Sequence, residues 1–598
     1  MYDFTREQIL AALNAHEKDA AVKITPEKVA EMKANPLLKD GFANLEKCRE
    51  FYRERPLYSI PFSLFKRFEE DGDRSEFEYA EQGYFMHRGH LKTWALSVLF
   101  YGEKEDVTRL EDTIWAICDE YTWSVAAHMS GDQGIYVNYQ PDRFTIDLFA
   151  AETGQAIAEI LQIVGDKLNP LVVQRAKREL KRRIIDRYLY GDLSDFKWAK
   201  TTNNWAAVCA GSVGMAAMCE LDDNEKLADF LEKTLISMRT FMSGFSEDGA
   251  CLEGLGYWSY GFGYFSAFAD MLYRRTGGEI NLFDDEKTHL VALFPTKTFF
   301  YGSRTVSFSD GGSRSSLGLG RISLLKKHYP DLVIPSTANV GTGVELKGCH
   351  RFATTLRGFL WADTELPTSD TSLHVYPFPH AQWYVASGKN DFGFAAKAGT
   401  NNEPHNHNDI GHFIVYKKGV EFFADLGSGE YSKQYFRAER YTFPHCGSQG
   451  HSVPIIDGIY QSAGKEFVSK DVTVNNEGIR MDMAGAYKCE KLTSLLRDYK
   501  FDGENASVSM TDTYTFSEAP EAVTERFLTR IEPAVSDGIV TLTSGELSVS
   551  LNFDADTFDV EILPQDNKDH GGRPIRFYYI DLKVKSPEKN MVFKFEIK

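Results

Sequence analysis

The spacing of apolar residues changes once along this 598-residue chain, and that change limits the folds it can adopt. Up to about residue 340 the apolar residues recur at helical spacing, most clearly over 91–101, 107–120, 146–164, 171–188, 205–219, 225–242 and 257–276. Short loops between these segments are typical of stacked helical hairpins. Residues 337–348 are mostly small or polar and include three glycines, which predicts a linker.

Beyond this linker the apolar residues recur at every second position, as they do in β-strands. The strand candidates are β-branched or aromatic, and they cover 412–416, 420–424, 472–474, 506–516, 539–543 and 547–553. This pattern predicts a large antiparallel β-sandwich or a stack of sheets. We therefore expect a helical N-terminal preface at 1–55, a helical domain at 56–340 and an antiparallel β-sheet domain at 349–598.

Composition excludes some classes of partner. The chain has 67 basic and 86 acidic side chains and a net charge of −19, which argues against nucleic acid because that partner needs a basic footprint. An anionic substrate stays open, since local basic residues can dominate a cleft. We find no segment apolar enough to cross a membrane, no apolar signal core and no pairing rhythm among eight cysteines. We expect a cytoplasmic protein with reduced thiols, or a secreted or periplasmic one if a leader precedes this sequence.

A histidine motif, His405-Asn406-His407-Asn408-Asp409, stands near the start of the β part. Histidines one residue apart point the same way on a β-strand, because side chains alternate along it. Asp425 ends the next apolar run, after a turn at 417–419, and is expected on the neighbouring antiparallel strand. With His451 and Asp425, one histidine of the motif makes a set of two histidines and one carboxylate with a fourth position open, which suits Zn²⁺. Unrelated surface histidines are the alternative.

Two motifs in the helical part are also candidates. Asn203 and Asn204 precede the helical segment at 205–219, where either could cap the helix or donate its amide to a substrate carboxylate. A glycine-rich loop at 247–256 leads into an aromatic helical segment. Tyr257 and Tyr260 share one face of it, as part of a buried aromatic stripe or as catalytic phenols.

Together these motifs resemble the heparinase II/III-type polysaccharide lyases, a group that also includes alginate lyases. The resemblance covers about residues 80–470, and it follows the order Asn203-Asn204-Trp205, Asp248-Gly249, Glu253-Gly254, Tyr257, the histidine motif, Asp425-Leu426-Gly427, Arg440-Tyr441 and His451. It implies an incomplete (α/α) toroid followed by stacked antiparallel β-sheets. It also implies β-elimination on a uronic-acid glycan of the glycosaminoglycan or alginate type.

The resemblance implies roles for particular residues. β-Elimination needs a neutralised carboxylate, a base for the C5 proton and an acid for the O4 leaving group. Asn204, or Asn203, would neutralise the carboxylate, and His405 would act as the partner base. Tyr257 would be the catalytic phenol with Tyr260 as its competitor. Tyr441 would be a second proton donor.

The resemblance also implies a metal site and substrate contacts. His407, Asp425 and His451 match the family's ligands and would hold Zn²⁺, or another divalent ion, in a structural role. Relatives carry a histidine near the asparagine motif that is missing here, and His128 is a candidate replacement. The other candidate substrate contacts are Arg88, Arg143, Glu253, Arg437 and Arg440. The oligomeric state stays open, with a homodimer as one option.

Three other functions compete with the lyase. A metal-dependent hydrolase would use His407, Asp425 and His451 to activate water. A toroid glycoside hydrolase would use a carboxylate pair such as Asp248 and Glu253. A glycan-binding protein would have kept the fold and lost the chemistry. Neither the particular uronic acid nor endo or exo cleavage follows from the sequence.

Overall fold

The structure, a computed structural model, describes residues 2–18, 23–71, 74–129, 144–431 and 434–598. The candidate Arg143 lies outside these residues. Helices fill the first part of the chain: α1 Arg6–Ala15, α2 Pro26–Ala34, α3 Lys39–Arg53, α4 Phe62–Asp71, α5 Arg74–Tyr79, α6 Tyr84–Phe100, α7 Lys104–Asp119, α8 Leu148–Val164, α9 Pro170–Leu180, α10 Asp186–Tyr190, α11 Asn204–Glu220, α12 Asn224–Met242, α13 Leu255–Arg275, α14 Glu286–Leu293, α15 Leu319–His328 and α16 Phe352–Leu360. All seven helical segments predicted from the sequence are helical, apart from bounds shifted by a few residues and a π-helical turn at Lys181–Ile185 between α9 and α10.

Helix α11 is central to the helical part. It packs against α8, α12 and α13, and almost every residue along it is buried. A helix that is apolar on all sides is expected in an interior. Asp147 and Asp223 cap α8 and α12 through side-chain oxygens that accept backbone N–H groups. These caps satisfy donors that the first turn of a helix leaves without intrahelical partners.

The helical part extends beyond the predicted boundary at residue 340. Helix α16 follows the predicted linker and packs against α8, α13 and α15, with Phe352, Leu356 and Phe359 buried. The segment 337–348 connects two parts of one core, because Lys92 Nζ donates to the carbonyl of Glu345 at 2.7 Å. Helix α1 of the N-terminal preface also joins this core by packing on α12.

The strands form three antiparallel sheets and one short parallel pair. The pair joins β1 Leu317–Gly318 to β2 Val340–Gly341. The sheets contain β3 His374–Phe378, β4 Trp383–Gly388, β5 Phe392–Lys397, β6 Phe413–Lys417, β7 Val420–Phe423, β8 Ile455–Ile456, β9 Lys470–Asn475, β10 Gly478–Asp482, β11 Leu492–Asp502, β12 Ser507–Phe516, β13 Val523–Thr529, β14 Pro533–Ser536, β15 Ile539–Ser544, β16 Leu547–Asn552, β17 Phe558–Lys568, β18 Pro574–Val584 and β19 Asn590–Ile597. Their orders are β3-β4-β5-β6-β7, β14-β15-β16-β19-β12-β11-β10-β9 and β17-β18-β13-β8. The six strands predicted from the sequence are all present.

The five-stranded sheet joins the helical part to the other sheets. Side chains alternate along β4, so Trp383 packs with the helical core, where its ring centroid lies 5.2 Å from that of Phe308. Tyr384 faces the opposite core. There Phe394 and Phe413 pack on Tyr499 of the eight-stranded sheet, with ring centroids 5.5 Å apart in both pairs. No helix in the described part of the chain has the length and apolarity needed to cross a bilayer.

A buried arginine connects the eight-stranded sheet to two loops. Arg497 on β11 pairs with Asp512 at 2.5 Å and Glu525 at 3.1 Å, and its side chain is 1% exposed. It also donates to the carbonyls of Gly411 at 3.1 Å and Ser452 at 3.0 Å. Those carbonyls belong to the segments that carry the histidine motif and His451.

We predict that Arg497→Leu lowers the free energy of unfolding by about 3–5 kcal/mol, because it leaves the buried carboxylate of Asp512 without its counter-charge. Urea unfolding followed by tryptophan fluorescence measures this change. Arg480→Leu on the neighbouring strand is the control, since Arg480 is exposed. Equal losses in the two variants would contradict the argument.

Candidate functional site

A pocket of about 420 Å³ lies where the N-terminal ends of α11 and α13 meet the loop before β6. We call it the Tyr257 pocket. Residues that line it include Asn203, Asn204, Glu253, Tyr257 and Glu403. The pocket is therefore lined by residues from both the helical part and the β-sheet part, although these residues are far apart in the sequence.

The two asparagines have different roles. Asn203 Oδ1 accepts the backbone N–H of Trp205 at 3.1 Å and the hydroxyl of Thr201 at 3.0 Å, so this side chain caps α11. Asn204 is 8% exposed and lines the same pocket. Its amide has no hydrogen-bond partner among the residues that the structure describes. Asn204 is thus the asparagine whose amide is available to a ligand.

Tyr257 and His405 are in direct contact. Their rings stack with centroids 4.3 Å apart, and Tyr257 Oη lies 3.4 Å from His405 Nδ1. Tyr257 Oη is also 2.9 Å from the hydroxyl of Tyr431. Burial, followed by the nearby charges of Asp310 and Glu253, raises the pKa of Tyr257 above its ordinary value. The phenol therefore stays protonated at neutral pH.

A buried carboxylate that the sequence analysis did not identify organises this contact. The side chain of Asp310 is fully buried and accepts hydrogen bonds from five groups, namely His405 Nδ1 at 2.7 Å, His407 Nε2 at 3.1 Å, Tyr431 Oη at 3.1 Å, Tyr435 Oη at 2.7 Å and Arg440 Nη2 at 3.1 Å. Burial alone would raise the pKa of Asp310. The hydrogen bonds from the two histidines and the charge of Arg440 instead hold that pKa well below its usual range.

The turn that carries Asp310 touches both halves of the chain. Ser309, with φ of +59°, donates its hydroxyl to the carbonyl of Leu252 at 3.0 Å. A Cβ on Gly254 or Gly427 would approach backbone atoms of Gly311 to 3.1 or 2.8 Å, and both glycines have positive φ. Glycine is needed at these positions because a side chain would push the Asp310 turn away from its partners.

The histidine motif lies in a loop, and the prediction that it forms a strand is wrong. Strand β6 begins at Phe413, and His405 has a φ of +56°. The two histidines nevertheless converge, because each donates to a different oxygen of Asp310. This donation places the proton of His405 on Nδ1 and leaves Nε2 as its basic atom. His405 is 24% exposed at its side chain, whereas His407 is fully buried.

Beneath His405, four buried residues offer atoms within 4.8 Å of one another: His407, Asp409, Asp425 and His451. The three predicted ligands are therefore close together, and Asp409 adds a fourth. Among the described residues, His407 Nδ1 and His451 Nδ1 have no hydrogen-bond partner. Their Nε2 atoms contact Asp310 and the carbonyl of His445, so each Nδ1 is the ring nitrogen left for another partner.

The two carboxylates of this cluster each have one hydrogen-bonded oxygen. Asp409 Oδ1 accepts from Lys397 at 2.7 Å, and Asp425 Oδ1 accepts from the backbone of Gly427 at 2.7 Å. Asp409 Oδ2 is buried without a hydrogen-bond partner among the described residues, whereas Asp425 Oδ2 lies 3.3 Å from His412 Nε2. Buried polar atoms normally have partners, so the converging atoms of this cluster that lack one fit a bound cation. A second grouping of Asp310, His407 and Cys446 fits less well, because both Asp310 oxygens already accept hydrogen bonds.

Other candidates lie elsewhere or serve the fold. Tyr260 donates to Glu152 at 2.7 Å and lines a different cavity. Arg88 is buried, pairs with Glu120 and lies over the ring of Tyr84, so it is not available to a substrate. His128 bonds to Asp147 at 2.8 Å and packs against Trp205, next to Asn204.

The candidate residues near the histidine motif also differ in whether a substrate could reach them. Arg440 is 8% exposed and binds Asp310 and the carbonyl of Asn406, so it holds the motif in place. Tyr441 Oη accepts from the Asn406 amide at 3.3 Å, and Arg437 is exposed. Asp248 accepts the N–H groups of His380 and Ala381. It is absent from the pocket lining, whereas Glu253 lines the pocket, so the proposed carboxylate pair does not share this pocket.

The sequence analysis missed Asp310, Tyr431, Tyr435 and Asp409. Asp409 stands inside the quoted histidine motif, and the count of two histidines and one carboxylate left it out. Asp310 precedes Gly311-Gly312, a pattern typical of any turn. The two tyrosines carry no local signal. Their role arises only because their hydroxyls meet one carboxylate.

The architecture has the fold of the heparinase-type polysaccharide lyases. Solved structures with this fold include a heparinase III with TM-score 0.58 and 12% identity, covering 96% of this chain and 92% of that one. A heparan sulfate lyase from Pedobacter heparinus has TM-score 0.56 and 13% identity, covering 99% and 92%. A Streptomyces coelicolor chondroitin AC lyase, solved with chondroitin sulphate, has TM-score 0.54 and 11% identity, covering 99% and 82%.

These matches confirm the predicted order of an (α/α) toroid followed by stacked antiparallel sheets. No protein-family model matches the chain, and no curated protein matches its sequence. The likeness therefore concerns the fold.

We predict that Asp310→Asn lowers the free energy of unfolding by about 3–5 kcal/mol, because it leaves the buried guanidinium of Arg440 without its counter-charge. Asp331→Asn is the control, since Asp331 pairs with His289 at an exposed position. Urea unfolding of both variants measures the difference. Unchanged stability in Asp310→Asn would show that this carboxylate is not the centre of the network.

Proposed function

We propose that this protein is a polysaccharide lyase that cleaves a uronic-acid glycan by β-elimination. The observation that carries the proposal is that Asn204 and Tyr257 line one pocket and that His405 stacks on the ring of Tyr257. A carboxamide, a phenol and an imidazole are the groups that this reaction needs. The structural neighbours include a heparan sulfate lyase and a chondroitin AC lyase, which supports an anionic glycan as the substrate.

The first requirement is to neutralise the uronate carboxylate, so that negative charge developing at C5 can delocalise into it. The unpartnered amide of Asn204 is suited to donate a hydrogen bond there. Burial raises the pKa of Glu253, and burial likewise raises the pKa of Glu403. Both acids therefore resist ionisation more than exposed carboxyls do, which reduces their repulsion of an anionic sugar.

The second requirement is a base and an acid. His405 Nε2 takes the C5 proton, and the hydrogen bond from Nδ1 to Asp310 stabilises the imidazolium that forms. The electrons of the C5–H bond become the C4=C5 double bond while the C4–O4 bond breaks. Tyr257, which its raised pKa keeps protonated, donates its proton to the departing O4. Each proton transfer contributes about 10²–10⁴-fold to a rate in enzymes of this kind.

The cluster of His407, Asp409, Asp425 and His451 would hold Zn²⁺ or another divalent ion in a structural role. A bound cation would neutralise two buried carboxylates and connect three loops beneath His405. His407 contacts both this cluster and Asp310. Asp310 thus connects the cluster to His405, because it contacts both His407 and His405.

The proposed reaction is tested by ultraviolet absorbance, because the conjugated C4=C5 product absorbs where the substrate does not. We expect growth of this absorbance on at least one of hyaluronan, chondroitin, heparan sulfate, heparin, alginate and gellan, or on their oligosaccharides. New reducing ends without any absorbance growth would contradict elimination and favour a hydrolase.

We predict that Tyr257→Phe lowers kcat by about two to four orders of magnitude, since the general acid is removed. Stability is expected to stay close to that of the wild type. Tyr273→Phe on the exposed end of the same helix is the control. A near-normal rate in Tyr257→Phe would reject Tyr257 as the general acid.

We predict that His451→Ala loses bound metal and unfolds at a lower temperature, because one of four ligands is removed. Elemental analysis of the purified protein measures the metal, with His289→Ala as a surface control. Equal metal content in His451→Ala and the wild type would reject the ligand set.

A further inference from the structure

A second cavity, of about 930 Å³, lies on the neighbouring face of α13. It is bounded by α13, the start of α15, the loop after β2 and α16. Three arginines, Arg321, Arg351 and Arg357, line it together with seven glycines, and no acidic side chain does. We call it the arginine cavity. The concentration of positive charge sets it apart from the Tyr257 pocket, which two glutamates line.

The three arginines differ in their charge partners. Arg351 pairs with Glu152 at 3.0 Å, and Arg357 pairs with Glu159 at 2.5 Å. Arg321 has no carboxylate partner among the described residues. It donates to the carbonyl of Ser259 at 2.5 Å and to its hydroxyl at 2.6 Å.

Arg321 therefore brings an uncompensated charge to the cavity. Its guanidinium lies 4.7 Å from the ring centroid of Trp258. Burial lowers its pKa to about 10, which still leaves it charged at neutral pH. A charge held in a partly desolvated place without a counter-ion is costly, so an anion in the cavity would gain by pairing with it.

The walls of the cavity leave room for a ligand close to the backbone. A Cβ on Gly256, Gly341 or Gly343 would meet nothing within 4 Å, so all three glycines face open space. Arg357 is 5% exposed, and its Nε has no hydrogen-bond partner within the described ranges. The N-terminal end of α15 also borders the cavity at Gly318 and Gly320. N–H groups at such an end have no intrahelical acceptor.

The cavity is adjacent to the proposed reaction centre. Gly256 and Tyr260 line it, and both lie within one helical turn of Tyr257 on α13. Tyr257 itself faces the other pocket. A glycan that places one uronate at Tyr257 carries further carboxylates or sulfates on its neighbouring sugars.

We propose that the arginine cavity binds an oxyanion substituent, a carboxylate or a sulfate, of a sugar next to the one at Tyr257. Arg321 is the anchor, and bidentate donation is the geometry in which a guanidinium binds such groups. The identity of the ligand as part of a glycan rests on the proposed function. The presence of an oxyanion site does not.

Anion titration of the purified full chain tests the site without catalysis. Trp258 and Trp361, beside and in the cavity, report through intrinsic fluorescence. At constant ionic strength we expect a saturable change with sodium glucuronate or sodium sulfate and none with glucose. The tighter of the two anions identifies the substituent. No saturable response to either anion would overturn the proposal.

Substitution of Arg321 tests whether this residue binds the anion. Arg321→Gln should weaken anion binding by about tenfold or more, since a charged hydrogen bond is removed. Arg321→Lys, which keeps the charge, should bind more tightly than Arg321→Gln. Arg274→Gln, at the far end of α13 and paired with Asp270, should bind like the wild type. Equal binding by Arg321→Gln and the wild type would overturn the proposal.

Kinetics separate this inference from the proposed function. On a substrate found by absorbance, Arg321→Gln should raise KM by about tenfold with little change in kcat, because uniform binding is lost. A lowered kcat with unchanged KM would contradict the proposal that Arg321 binds a neighbouring sugar. Tyr257→Phe should still bind the anion. If no glycan is cleaved, the proposed function fails, and the anion titration still decides whether the cavity binds oxyanions.

Discussion

The buried carboxylate of Asp310 is the interaction on which the rest of the site depends. One oxygen accepts from His405 and Tyr431, and the other accepts from His407, Tyr435 and Arg440. These five donors come from loops after β5 and β7, whereas Asp310 belongs to the segment between α14 and α15. A buried carboxylate needs several donors to remain charged, so the network specifies one arrangement of the loops.

This carboxylate also connects the two proposed chemical functions of the site. The hydrogen bond that it accepts from His405 Nδ1 leaves Nε2 as the atom that would act as the base. Its contact with His407 Nε2 leaves Nδ1 for the proposed metal ion. Asp409, Asp425 and His451 complete that buried cluster. The proposed base and a proposed metal ligand are thus held by a single group.

The sequence predicted more of the architecture than of the site. Long segments with helical or strand spacing, such as α11, α13 and β12, have a strong local signal because their own apolar pattern sets their burial. The boundary at residue 340 was misplaced, since the small and polar segment at 337–348 connects parts of one core. The strand expected at His405 is a loop, because histidine spacing alone carries no information on backbone conformation.

The sequence by itself determined the spacing of apolar residues in each segment, and this spacing predicts the toroid followed by sheets. It also determined which residue types could serve as metal ligands, as a base and as a phenol. The tertiary structure decided which of them meet. It separated Tyr260 from Tyr257 by pairing Tyr260 with Glu152, and it turned Arg440 inward to Asp310. It also left Arg321 without a carboxylate partner in the described part of the chain. These outcomes depend on contacts between residues far apart in the chain, and no local pattern encodes a partner at that distance.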